Sequence, residues 1–232
     1  MEGAQNDVIM KGLARSILVL WVLSFLSTAG RADPVGRAPM NIDLSSMQTG
    51  AKPAGFTEAL TGHGGPVRWL VLDEQSAPTG GKVIAETSND TADYRFPLCI
   101  YDNLTARDVS VSVRFEPVAG SVDQAGGIIV RAQDDQNYYV ARANALEDNV
   151  RLYKVVAGQR RQIAGQNTKV AAGTWHTLAL KVEGDLLEVV FDGIRVIQTH
   201  DATFAGPGKV GLWTKADSLT YFNEFTILTG EK

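Results

Sequence analysis

Tyr138, Arg142 and Asn144 fall on alternate positions of the run Asn137–Asn144, and Arg151 and Tyr153 do the same on the run that follows. Aromatic rings stack on the apolar C–H patches of sugars, and planar guanidinium and amide groups pair with their hydroxyls. A sheet face carrying this mixture suits a saccharide. Arg131, on the parity of Ile129, and Trp213, at a strand end before Thr214–Asp217, complete the candidate set. A plainer reading stands beside it: exposed sheet faces carry Arg, Asn and Tyr to stay soluble and to guard their edges.

Other reactive side chains are sparse. Cys99 is the single cysteine, so no intramolecular disulfide can form, and its neighbours Leu98 and Ile100 mark it as a small buried residue. His63, His176 and His200 are scattered and show no zinc-ligand spacing. Trp175 reads as core and His176 as a structural or surface residue. The carboxylates Asp134, Asp135, Glu147 and Asp148 occupy turn-like positions.

The elements that must hold these groups are strands. From Gly126 to Ile227 the chain is a series of short β-branched and aromatic runs closed by Gly, Asp and Asn. Val109, Val111, Val113 and Phe115 alternate with Ser110, Ser112 and Arg114, the pattern of a strand with one face in a core. Ala157-Gly158, Gly184-Asp185 and Asp192-Gly193 are hairpin signals. Pro66–Leu72 is the first convincing strand, and residues 33–65 read as an extended lead-in to a domain over 66–230.

Lys11 and Arg15 precede the apolar run from Ile17 to Leu26, and Ser27, Thr28 and Ala29 follow it. A basic flank, a short apolar stretch and a small-residue exit form a secretory signal peptide over residues 1–32. Glu2 and Asp7 sit awkwardly before that flank, which favours a start at Met10 over Met1. The whole chain carries 22 basic and 26 acidic side chains. Removing residues 1–32 takes Lys11, Arg15, Arg31, Glu2 and Asp7 with it, leaving 19 against 24 and a net charge near −5. An exported domain of that charge has no electrostatic footprint for nucleic acid, or for an anionic membrane once the signal is cleaved.

The segment Gly126-Gly-Ile-Ile-Val-Arg131 through Asn137-Tyr-Tyr139, with Gly173-Thr-Trp175, Phe191-Asp-Gly193 and Gly208–Trp213, resembles concanavalin A-like (laminin-G-like) jelly rolls. Closest in style are exported bacterial proteins of the DUF1080 kind, described as 3-keto-disaccharide hydrolase-like. The resemblance implies an all-β, two-sheet antiparallel jelly-roll sandwich, with a concave outer face as the ligand surface. It implies carbohydrate binding, with a glycosidase-like hydrolase of a sugar derivative and an adhesion module for a protein partner as alternatives.

Laminarinase-type glucanases on this fold use a Glu-x-Asp-x-x-Glu strand, whose carboxylates must flank the scissile bond. Glu183, Asp185 and Glu188 match its letters, but Gly184-Asp185 is where the hairpin turns, which spreads the three over two strands. Many such jelly rolls hold a structural calcium near the paired first and last strands. Asn41, Asp43, Asn223 and Glu224 are the corresponding candidates, with Asn223 standing where relatives often carry Asp.

Overall fold

The computed structural model describes residues 38–230; the expected signal peptide over 1–32 and both candidate start residues lie outside them. The described chain is all strand and turn, folded as a two-sheet antiparallel jelly-roll sandwich. No helix occurs among these residues, so none is long and apolar enough to cross a membrane.

The strands run β1 (Met40–Asn41), β2 (Phe56–Gly62), β3 (Trp69–Asp73), β4 (Lys82–Glu86) and β5 (Arg95–Ala106). Then follow β6 (Val109–Ala119), β7 (Ala125–Asp134), β8 (Asn137–Asn144), β9 (Asn149–Val156) and β10 (Gln159–Asn167). The last are β11 (His176–Glu183), β12 (Leu186–Phe191), β13 (Ile194–His200), β14 (Gly208–Trp213) and β15 (Leu219–Thr229). One sheet has the order β13-β12-β11-β6-β15-β4-β3, with β1 added beside β15. The other, which positions the site, is β10-β9-β8-β7-β14-β5-β2.

Period-two alternation builds the main core. Val109, Val111, Val113 and Phe115 of β6 face Ile128, Val130, Tyr139, Ala141, Leu152 and Leu212 of the second sheet. Cys99 is buried in this layer, and burial holds its thiol well above the usual range. His176 is buried as well, its Nδ1 2.7 Å from Asp192 and its ring stacked 5.1 Å from Phe191. It is a structural histidine.

Three expectations are corrected. The described part of the expected lead-in, residues 38–65, is more than that: β1 pairs β15, and β2 forms the outer edge of the second sheet against β5. Its alternation is faint because an edge strand with half-buried positions and a terminal Gly62 shows little contrast between faces. Trp175 is only half-buried and sends its Nε1 to Ser76 Oγ at 3.4 Å, because it precedes β11 and lies beyond the inter-sheet layer. Arg131 does not share a face with Ile129. A register shift between Val130 and Asp134, with Arg131 at φ 49°, turns its side chain elsewhere.

Candidate functional site

The outer face of the second sheet is strongly cupped. Tyr94, just before β5, meets the β9–β10 hairpin: its hydroxyl donates to Gly158 O at 3.0 Å and accepts from Arg160 N at 3.0 Å. Five strand spacings separate β5 from β10 in the sheet order, roughly 24 Å if the sheet were flat. The Tyr138 hydroxyl likewise reaches across from β8 to Thr61 of β2, 2.8 Å away. Only a sheet rolled toward itself brings these partners together.

The roll fills the cup with a second apolar cluster. Phe96, Leu98, Ile100, Ile129, Tyr138, Val140, Tyr153, Val155 and Trp213 pack there, all at 9% exposure or less. Alternation therefore places Tyr138, Val140, Arg142 and Asn144 on one face as expected, with Arg151 and Tyr153 beside them. Of this set only Arg151 is part-exposed; Arg142 and Tyr153 keep 4% and 8% exposure and Asn144 none. Tyr138 and Trp213 are fully buried, so they form the floor; the expected ligand contact by Trp213 is corrected because Phe96 stacks on it at 5.5 Å and Arg160 covers it. Burial also pushes the Tyr138 hydroxyl well up.

The polar margin is built around Arg142. Its guanidinium donates to Asn149 Oδ1, to Glu147 Oε2 at 2.7 Å and to the Tyr153 hydroxyl at 3.2 Å. Burial alone would raise the Glu147 carboxyl, but Arg142 and Asn149 overcome that and hold it below its ordinary range. Asn144 fixes the β8–β9 turn, its Oδ1 accepting from Leu146 N and Glu147 N and its Nδ2 donating to Asp123 at 2.8 Å. Asp123 is buried, which raises its pKa despite Lys215 at 3.0 Å. Lys215 also reaches the exposed Asp93 at 2.5 Å. Arg151 bonds Asn167 Oδ1 at 2.7 Å across to β10.

Arg142, Asn144, Arg151 and Tyr153 are thus brought to one cluster, while Arg131 belongs to another. Its guanidinium is buried against Arg107 O, Phe204 O and Asp108. The residues missed in the sequence are Phe96, Asp93, Arg160 and Lys215. Nothing marks them locally, because they enter the cup from segments distant in sequence, and Glu147 was visible only as a turn carboxylate.

The calcium candidates do converge, on a surface cavity of about 500 Å³ lined by Asn41, Asp43, Asn223 and Glu224. Both asparagines already have protein partners. Asn223 Oδ1 accepts from Thr79 N and Oγ1, and its Nδ2 donates to Thr79 O and Lys82 O. Asn41 Oδ1 accepts from Thr226, and no group of three carboxylate, histidine or cysteine ligands occurs among the described residues. Glu183, Asp185 and Glu188 pair separately with Lys181, His200 and Arg195 on the other sheet, which agrees with discounting their motif.

A carbohydrate-binding module, CBM66 from Bacillus subtilis, shares the fold with a TM-score of 0.57 at 22% identity, over 74% of this chain and 95% of that one. A Bacillus subtilis protein of unknown function with a galectin-like fold aligns with a TM-score of 0.51 at 11% identity, over 74% of this chain and 89% of that one. A levanase of Bacillus subtilis (strain 168) is 32% identical over 89 residues, 38% of this chain. The match spans only 13% of that enzyme's length. Residues 82–230, the stretch that contains both sheets from β4 onward and every residue of the cup's polar margin, match the galactocerebrosidase C-terminal lectin domain, and the chain belongs to that family.

Proposed function

We propose that this chain is an exported saccharide-binding module, and that the polar margin of the cup is where the sugar docks. The observation that carries the reading is the Arg142 cluster. Arg142, Glu147, Asn149 and Tyr153 are held in fixed hydrogen-bonded geometry on the rim of an aromatic floor. Planar donors and acceptors with locked rotamers match sugar hydroxyls at little entropic cost. Membership of a lectin-domain family supports the same class of ligand. Export rests on the basic, apolar and small-residue order of residues 11–29.

Titration calorimetry of the purified chain against levan oligosaccharides, chosen because the matched relative is a levanase, is the first test, followed by a glycan array. Binding that Arg142→Ala or Glu147→Ala abolishes supports the proposal. Absence of any saccharide on the array, or variants that bind like the parent, overturns it.

A further inference from the structure

Arg160 is held like no other cation of the margin. Its guanidinium carbon lies 4.5 Å from the Phe96 ring centre, 4.6 Å from Tyr153 and 5.9 Å from Trp213. Three rings fix the plane of the group through cation–π contact. They do not supply acceptors, and Nη1 is buried with no hydrogen-bond partner among the described residues. Arg142 is matched by Glu147 and Lys215 by Asp93 and Asp123, while Arg151 gives its donors to the Asn167 side chain and Val150 O. Asp93 feels the field of Arg160, yet its carboxylate is committed first to Lys215.

We infer that the saccharide taken by this face carries an acidic substituent, a uronate carboxylate or a sulfate ester, and that Arg160 reads it. The inference rests on the saccharide reading above and narrows it to a ligand class. A guanidinium whose orientation is already set by rings needs little further ordering to meet the paired oxygens of a carboxylate or sulfate. The backbone of Arg160 is anchored too, through Tyr94, so the side chain starts from a fixed root. A neutral sugar would leave this charge uncompensated beside an aromatic floor. An anionic one neutralises it.

The test uses three probes on one backbone: trigalacturonate, the same trisaccharide with its carboxylates reduced to alcohols, and a sulfated form of the reduced compound. Calorimetry on the purified chain at low salt should show the acidic probes binding about tenfold tighter than the neutral one, a gap that shrinks as salt rises. Whichever acidic probe gains more identifies the group. Arg160→Gln should erase the gap between the acidic and neutral probes. Arg160→Lys, which keeps the charge and can still lie over the rings, should keep part of it and serves if Arg160→Gln fails to fold. Equal affinity for acidic and neutral probes, or a gap that survives both substitutions, overturns the inference while leaving saccharide binding intact. No binding by any probe, together with an array that shows no neutral glycan either, overturns both.

Discussion

Arg142 donates to the Tyr153 hydroxyl at 3.2 Å although the two occupy neighbouring strands one diagonal step apart, Arg142 opposite Arg151 and Tyr153 opposite Val140. Their contact ties the polar margin to the ring floor. Tyr153→Phe keeps the ring and removes the hydroxyl, so a loss of about 1 kcal/mol in urea unfolding is expected. Arg142→Met strands Asn149 and Glu147 together and should cost about 2–3 kcal/mol. Because Glu147 is half exposed, Glu147→Gln should cost less than about 1 kcal/mol in stability. A ligand titration, not a melt, is where that third variant should show its effect.

Acid sensitivity should be traceable to Asp201. Burial alone would raise this carboxyl, but Lys154 at 2.6 Å, Thr203 and the Tyr139 hydroxyl at 2.7 Å hold it well below its ordinary 3.8. A carboxyl depressed in the folded state adds stability that is complete above its unfolded pKa and is lost as pH falls below it toward the folded value. Urea midpoints measured from pH 7 to pH 2.5 should therefore fall less steeply for Asp201→Asn than for the parent. Equal slopes would contradict the assignment. The same contact, after burial, pushes the Tyr139 hydroxyl up to about 12, so no tyrosinate from this residue should appear in an absorbance titration below pH 10.

Asn223 should behave as a latch that needs no metal. Its side chain is buried and closes four hydrogen bonds to Thr79, in the turn before β4, and Lys82, at the start of β4. Asn223→Ala leaves these groups unmatched and should cost about 2–3 kcal/mol. Chelation of divalent cations should leave the parent Tm unchanged within error in a differential scan. A fall of several degrees on chelation would show that a cation shares the site after all.

Two glycines should separate shape from chemistry. A Cβ on Gly211 would stand 2.4 Å from Cys99 O and 2.9 Å from Ile100 Cα, both backbone, so Gly211→Ala should destabilise by about 3 kcal/mol. The nearest atoms to a Cβ on Gly165 all belong to the Arg151 side chain, which can swing aside. Gly165→Ala should leave the urea midpoint nearly unchanged and alter ligand affinity through Arg151 alone.

Much of the fold was legible because strand periodicity is local. The alternation of Val109 to Phe115, and the parity of Tyr138, Arg142 and Asn144, passed straight into the structure. The same rule failed at Arg131, where a bulge shifts parity without a composition cue. β5 carries no clean strand pattern, because Pro97 and the Asp102-Asn103 pair interrupt it, although it pairs on both sides. The site was only half legible. Residues of the β8–β9 hairpin announce each other, whereas Arg160 over Phe96, or Lys215 beside Asp123, is a meeting created by the curl of a whole sheet.

The Phe96–Tyr138–Trp213 cluster means that both faces of β8 are packed, with seven of its eight residues buried. Such a strand tolerates few changes, since any new side chain must fit one closely packed layer or the other. Diversification of this module toward other ligands would then be channelled into the connecting segments, above all the turn at 145–148 and the stretch 214–218. A graft that exchanges those two segments between relatives, leaving every strand in place, is the natural route to retargeting it.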